Sequence, residues 1–207
     1  IAKLNNLENI TSPALNAIGE VYIVLKDYPK ALSFLEKQRK LYEDGNVNDG
    51  LGYALYDIGI VYEEMNQLDS AMSYEMQALD LFKRLNHEEP LVFKVLGNIE
   101  LKSGNLSKAL SYYQQGLQIA IQNNERRASA TLYNKISSFY KTTNRADSGI
   151  YYAQKGLKES ETISHKKTIL EAAALLSGFY EEKNAEEALR YLKIANIYKD
   201  SLFGAGN

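Results

Sequence analysis

Residues 51–85 read LGYALYDIGIVYEEMNQLDSAMSYEMQALDLFKRL. On both sides of Asn66-Gln67 the apolar residues fall three or four positions apart, which is the spacing of two amphipathic helices. The Asn-Gln pair between them has turn chemistry. Gly59 lies inside the first predicted helix, where glycine costs about 1 kcal/mol against alanine. Close approach of the second helix, with Ala71 as the small partner, explains this glycine, and the stretch predicts a helical hairpin.

The hairpin pattern occurs five times along the chain. A small residue inside the first helix recurs with spacings of 40, 38, 40 and 40, at Gly19, Gly59, Gly97, Ser137 and Ser177. A second small residue follows on the second helix, at Ala31, Ala71, Ala109, Gly149 and Ala188. Self-similarity at a fixed period of 20 to 50 residues indicates a repeat architecture.

This pattern resembles the tetratricopeptide repeat (TPR), whose signature is an apolar residue, Leu-Gly, Tyr, then Ala and a bulky residue on the second helix. Glu100 and Gly149 depart from it. The resemblance implies an all-α fold, a right-handed superhelical α-solenoid of about five TPR hairpins. A period near 40, against a usual period of about 34, indicates either longer helices or longer connections.

We expect a single TPR array over residues 1–207, with both ends cut from a longer protein. The spacing assigns residues 1–12 to the end of a preceding helix and residues 204–207 to a truncated tail. Between them it assigns five repeats, at 13–45, 49–86, 89–123, 126–161 and 166–203.

Composition narrows the classes of function. The formal net charge is -2 and the pI is about 5.8, so the chain lacks the basic excess that nucleic-acid binding needs. Its apolar stretches are too short for a membrane helix, so no membrane contact is expected of this fragment. The absence of cysteine excludes disulfides and thiolate metal sites.

The sequence predicts no catalytic residue, no metal site and no cofactor, and therefore not an enzyme. His87 and His165 are isolated in connections between repeats. Adjacent carboxylates such as Glu63-Glu64 point in different directions on a helix, so we expect them on a solvated face rather than in a catalytic pair.

The first helix of each hairpin is expected to line a concave binding surface. Residues next to the positions that pack inside the hairpins are predicted to face a ligand there: Tyr53, Tyr56, Asp57, Ile60, Lys94, Asn98, Lys102, Asn134, Lys135 and Lys141. Because lysine and asparagine donate to carboxylates, the central lysines predict an anionic-ligand patch. Lysines that merely keep the groove hydrated remain the alternative.

Some TPR domains clamp a C-terminal carboxylate with lysine and asparagine one turn apart on a first helix, and Lys94 and Asn98 match that pair. Lys135, Glu171 and Leu175 do not continue the pattern. We therefore expect a protein or a different peptide, acidic or extended, as the partner rather than a chaperone tail.

Residues 195–203 resemble the segment that closes TPR arrays in bacterial sensor histidine kinases and related regulators. This resemblance implies a sensor or input domain, with a kinase downstream and a periplasmic location. A free-standing adaptor or scaffold, which would be cytoplasmic, is the alternative. Self-association through apolar terminal hairpin faces is a further expectation.

Overall fold

The computed structural model describes the backbone of residues 2–204 and the side chains of residues 12–204. Over this part the chain forms ten α-helices and no strand, which confirms the predicted all-α solenoid of five hairpins. The helices are α1 (Ala2–Val24), α2 (Tyr28–Asp44), α3 (Asn48–Glu64), α4 (Leu68–Arg84), α5 (Pro90–Lys102), α6 (Leu106–Gln122), α7 (Arg126–Thr142), α8 (Ala146–Thr162), α9 (Lys166–Tyr180) and α10 (Ala185–Phe203).

Longer helices, not longer connections, explain the 40-residue period. Helices α2, α3, α4, α6, α7 and α8 each contain 17 residues. Most connections between helices contain three residues, so two helices and two connections make up the period. The spacing of 38 arises at α5, which has 13 residues and begins after a longer connection.

A left-handed residue closes eight of these helices. It lies second in the connection, with φ between 52° and 81°, at Lys26, Asn46, Asn66, Asn86, Gly104, Asn124, Asn144 and Ser164. The next N–H then bonds the carbonyl five residues back, as Gln67 does to Tyr62 at 2.9 Å. This is the Schellman pattern, which satisfies carbonyls at the helix end. Asparagine tolerates the conformation better than most residues with a side chain.

The contacts divide the chain into two units, the first ending at Ala109 and the second beginning at Leu110. In unit 1, α2 and α3 pack through Leu35, Ile58 and Val61, and a second cluster joins α4 to α5 through Val95 and Ile99. Both clusters exclude water, since these five side chains are almost completely buried.

Unit 2 has a core of its own between α8, α9 and α10. It is formed by Leu157, Ile169, Leu176 and Tyr191, with Ala153 between the helices. Burying each large side chain contributes about 1.5–3 kcal/mol against leaving it exposed.

A tyrosine three residues after the small residue packs inside the hairpin in four of the five repeats. Each stacks on an aromatic ring of the second helix, with centroids 5.3–5.8 Å apart, in the pairs Tyr22–Phe34, Tyr62–Tyr74, Tyr140–Tyr152 and Tyr180–Tyr191. In the third hairpin Glu100 takes this position and accepts a hydrogen bond from Asn105 at 2.7 Å.

The small residues also bring the two helices of a hairpin together. Ser137 Oγ donates to the Gly149 carbonyl at 2.9 Å, and Ser177 Oγ donates to the Ala188 carbonyl at 3.0 Å. A Cβ on Gly19 would lie 2.8 Å from Leu35 Cδ2. Glycine and serine therefore serve close packing at this position.

Helix α1 is continuous from Ala2 to Val24, with Pro13 inside it. Residues 2–12, which the spacing assigned to a preceding helix, thus belong to the first helix of repeat 1. Residues 205–207 of the expected tail lie outside the described part. No helix in the described part is both long and apolar enough to cross a membrane.

Candidate binding site

Tyr53, at the start of the predicted ligand face, contacts the connection before α5. Its hydroxyl donates to Glu89 Oε2 at 3.1 Å and lies 3.3 Å from His87 Nε2. Its ring meets Phe82 edge-on, with centroids 5.0 Å apart. The side chain is nevertheless 41% exposed, so part of the ring remains accessible.

Tyr56, Asp57 and Ile60 lie half-buried on α3 beside α5. Lys94 Nζ lies 3.5 Å from the Tyr56 hydroxyl, to which it donates. Burial, and after it the charge of Glu20, raises the pKa of Asp57 to about 7, although Lys94 acts in the opposite direction. Burial also raises the pKa of the Tyr56 hydroxyl. This part of the face carries a carboxyl that is partly protonated near neutral pH.

Asn98 and Lys102 already hold a carboxylate of the chain itself. Asn98 Nδ2 donates to Glu63 Oε2 at 3.2 Å, and Lys102 Nζ lies 2.5 Å from Glu63 Oε1. Lys102 also donates to the Glu63 carbonyl at 2.8 Å. The prediction that Glu63 lies on a solvated face is wrong, because its pairing with α5 keeps it 5% exposed.

Glu75 on α4 is completely buried beneath this face. Neither of its carboxyl oxygens has a hydrogen-bond partner among the described residues. The carboxyl group lies against Gly59 of α3. Burial raises the pKa of Glu75 well above its usual range; Lys94 opposes the rise, whereas Asp57 and Glu63 add to it. The sequence pattern did not single out Glu75, although the repeat alignment makes it the equivalent of Leu35.

In unit 2, Asn134 does not face a ligand. It is 4% exposed, and its Nδ2 donates to the Thr168 carbonyl at 3.0 Å. Asn134 is therefore part of the packing between α7 and α9. Lys135 and Lys141 lie on the same helix; Lys135 is half-buried and Lys141 is exposed.

A pocket of about 250 Å³ opens where α7 and α9 end. Lys141 lies on one wall, with its Nζ 6.0 Å from the centroid of the Phe179 ring. Lys183 on the rim is paired with Asp147 at 2.9 Å. The pocket is lined by Tyr140, Lys141, Asn144, Ala146, Gly178, Phe179, Glu181, Glu182 and Lys183.

Gly178 makes room for this pocket. A Cβ at that position would meet the end of the Lys141 side chain. Lys141 forms no ion pair with any residue between 12 and 204, and neither does Glu182. Sequence reasoning placed Lys141 on the ligand face but missed Phe179, because its spacing is that of a core residue.

Residues 12–204 contain no cluster of three or more His, Asp or Glu side chains that could hold a metal ion. The two histidines lie apart in their connections, as predicted. His87 contacts Tyr53, and His165 caps α9 by accepting from the Thr168 N–H.

Comparison with protein families shows that residues 11–84 match the tetratricopeptide-repeat family. The same hairpin continues with the same register through residue 203. Residues 11–84 belong to the tetratricopeptide-repeat family. The TPR recognition made from the sequence is thus confirmed, and stacked repeats of this kind offer extended binding surfaces.

Two curated relatives resemble parts of the TPR array. The 43 kDa receptor-associated protein of the synapse from Tetronarce californica is 25% identical over 181 residues, covering 84% of this chain and 43% of the relative. Response regulator aspartate phosphatase I from Bacillus subtilis (strain 168) is 26% identical over 106 residues, covering 50% of this chain and 27% of the relative. The chain spans less than half the length of each.

Among solved structures, the Rap conjugation gene regulator of the plasmid pLS20, in complex with the Phr* peptide, matches with a TM-score of 0.78. The identity is 18%, and the match covers 99% of this chain and 57% of the regulator. This likeness shows that the two share a fold. The family match and the repeat fold together support a protein- or peptide-binding module.

Proposed function

We propose that the TPR array binds an extended peptide along the first helices of its hairpins, and that the pocket between α7 and α9 anchors one ligand side chain. The observation that carries this proposal is the position of the pocket. It is lined by Lys141, which the repeat pattern alone assigns to the ligand face, and by Gly178 and Glu182 of the next hairpin.

The pocket chemistry favours a large apolar side chain with an acidic neighbour. Its volume of about 250 Å³ exceeds the roughly 150 Å³ cavity that suffices for benzene. Phe179 and Tyr140 offer ring surface, on which aromatic or aliphatic groups pack well. Lys141 lines the pocket and has no carboxylate partner within the described part, so it suits a ligand carboxylate.

The peptide is proposed to be a signal, which makes the array an input domain of a bacterial signalling protein. Supporting this are the likeness to a Bacillus subtilis response regulator aspartate phosphatase and the fold shared with a gene regulator whose structure contains a peptide. The terminal segment 195–203, with its resemblance to sensor-kinase arrays, points the same way.

A scaffold role is the second candidate. It is favoured by the 25% identity to a receptor-associated protein, which extends over 84% of this chain. A scaffold would bind a folded partner over a large surface, whereas an input domain would bind a short peptide with affinity concentrated in one pocket.

Selection of random peptides displayed on phage against the purified chain tests the proposal, with affinities measured afterwards by fluorescence anisotropy. Gly178→Leu fills the pocket, and Gln154→Leu adds the same side chain at an exposed position of α8. We expect selected peptides to share an apolar residue beside an acidic one and to lose at least tenfold in affinity with Gly178→Leu only. Equal affinity for both variants would refute the pocket as the anchor.

A further inference from the structure

Asn98 and Lys102 form a carboxylate-binding site that the chain fills itself. They lie one turn apart on α5 and together contact both carboxylate oxygens of Glu63, at 3.2 and 2.5 Å. We propose that Glu63 is a specificity residue, which occupies this site and closes unit 1 to the carboxylate of any ligand.

The repeat register shows what Glu63 fills. Glu63 is the sixteenth residue of α3, and Lys141 is the sixteenth residue of α7. Asn98 follows Gly97 on α5 as Gly178 follows Ser177 on α9. The Glu63–Asn98 contact in unit 1 and the Lys141–Gly178 wall of the pocket in unit 2 are thus equivalent positions in two repeats.

At this position the two repeats differ in the charge of the side chain and in the space left beside it. In unit 2 a glycine leaves an open pocket beside a lysine that has no ion-pair partner within residues 12–204. In unit 1 an asparagine amide reaches across to a carboxylate that is 5% exposed. Glu63 therefore closes in unit 1 the space that unit 2 leaves open.

Occupation by Glu63 is stable because the residue is bound at three points, two on its carboxylate and one on its backbone carbonyl. Besides the two side-chain contacts, Lys102 Nζ donates to the Glu63 carbonyl at 2.8 Å, which fixes the lysine over the end of α3. Hydrogen bonds to charged groups are stronger than neutral ones. A ligand carboxylate would have to displace a carboxylate that is already in place and attached to the same chain.

The Glu63 site lies in unit 1 and is independent of the peptide pocket in unit 2. Asn98 and Lys102 of α5 belong to the anionic-ligand patch that the sequence predicted. They donate to a carboxylate, as predicted, but this carboxylate is Glu63 of the chain itself. Removing the Glu63 side chain should convert the closed site into an open one that binds a small carboxylate.

The test is chemical rescue of Glu63→Ala by sodium acetate, measured as the Tm of thermal unfolding. Sodium chloride at the same ionic strength is the reference. Acetate at ten times its dissociation constant should raise the Tm of Glu63→Ala by about 3–6 °C. The wild-type protein and Glu63→Gln, whose side chains still fill the site, should respond to acetate as they do to chloride. Adding Lys102→Met to Glu63→Ala should abolish the response.

If Glu63→Ala is unfolded without acetate, recovery of helical circular dichroism on adding acetate replaces the Tm as the readout. An acetate effect on Glu63→Ala no larger than that on the wild-type protein, or no recovery of helix, would overturn the proposal. If the wild-type chain binds no selected peptide, the unit 2 pocket is refuted and the acetate result is unaffected.

Discussion

Replacing Glu75 by leucine should stabilise the protein. Glu75 is completely buried on α4, and its carboxyl oxygens have no hydrogen-bond partner among the described residues. The equivalent residue of the first hairpin is Leu35, which is buried against Gly19 as Glu75 is buried against Gly59. Leucine therefore fits this position beside a glycine, and Glu75→Leu requires no change of backbone.

Two contributions set the size of the effect. A buried polar group without a partner costs about 1–3 kcal/mol, which the variant recovers. Burying leucine at the same site adds part of the roughly 1.5–3 kcal/mol that a buried aliphatic side chain contributes. Allowing for imperfect packing, we expect a gain of about 2–4 kcal/mol in unfolding free energy near neutral pH.

The gain should depend on pH in a defined direction. The folded-state pKa of Glu75 is raised by burial, so the folded protein binds the proton more tightly than the unfolded chain does. Below the ordinary value of 4.5 both states are protonated and the full stability of the wild-type protein is present. As pH rises above 4.5 the wild-type protein loses stability, so the advantage of Glu75→Leu should grow.

Urea unfolding followed by circular dichroism at pH 4 and pH 8 measures both contributions. Glu64→Leu, which changes an exposed glutamate on α3, is the control and should alter stability by less than about 0.5 kcal/mol. The reasoning is refuted if Glu75→Leu is less stable than the wild-type protein at pH 8, or if its advantage is the same at both pH values.

Three further predictions concern other residues. Asp57→Asn should remove a loss of stability that develops between pH 4 and pH 8, because the rise of the Asp57 pKa to about 7 from 3.8 is worth up to about 4 kcal/mol, and urea titration at both pH values measures it. Lys26→Gly should stabilise by about 0.5–1 kcal/mol, since φ is 58° there, whereas Lys40→Gly inside α2 should destabilise by about 1 kcal/mol in the same assay. Gly178→Ala should raise the Tm by about 2–4 °C, because its added Cβ meets only the flexible end of Lys141, and calorimetry would contradict this with a lower Tm.

The fold could be predicted because the same hairpin pattern occurs five times in the sequence. Gly59 and its equivalents set the register, and the stacked tyrosines and the turn at Asn66 recur with it. The 40-residue period left longer helices and longer connections equally open. The asparagines at 46, 66, 86, 124 and 144 would have decided between them, since each follows a 17-residue helix and the spacing is 20 from 46 to 66, from 66 to 86 and from 124 to 144.

The binding face was harder to predict, because a helical position gives a direction but not a partner. Asn134 has the spacing of a ligand-facing residue, yet its amide reaches the Thr168 carbonyl of the next first helix. Asn98 and Lys102 were recognised as carboxylate donors, but nothing in their own helix shows that Glu63 lies opposite. Comparing equivalent positions between repeats would have revealed Glu75, whose counterpart is Leu35.

The most direct test of peptide binding at the pocket is a titration of the ¹⁵N-labelled chain with a phage-selected peptide, followed by amide chemical shifts. The account predicts that the largest changes fall on the amides of Asn144, Gly178 and Glu182, and that they disappear in Gly178→Leu. Changes confined to the second helices, or equal changes in Gly178→Leu and the wild-type chain, would contradict it.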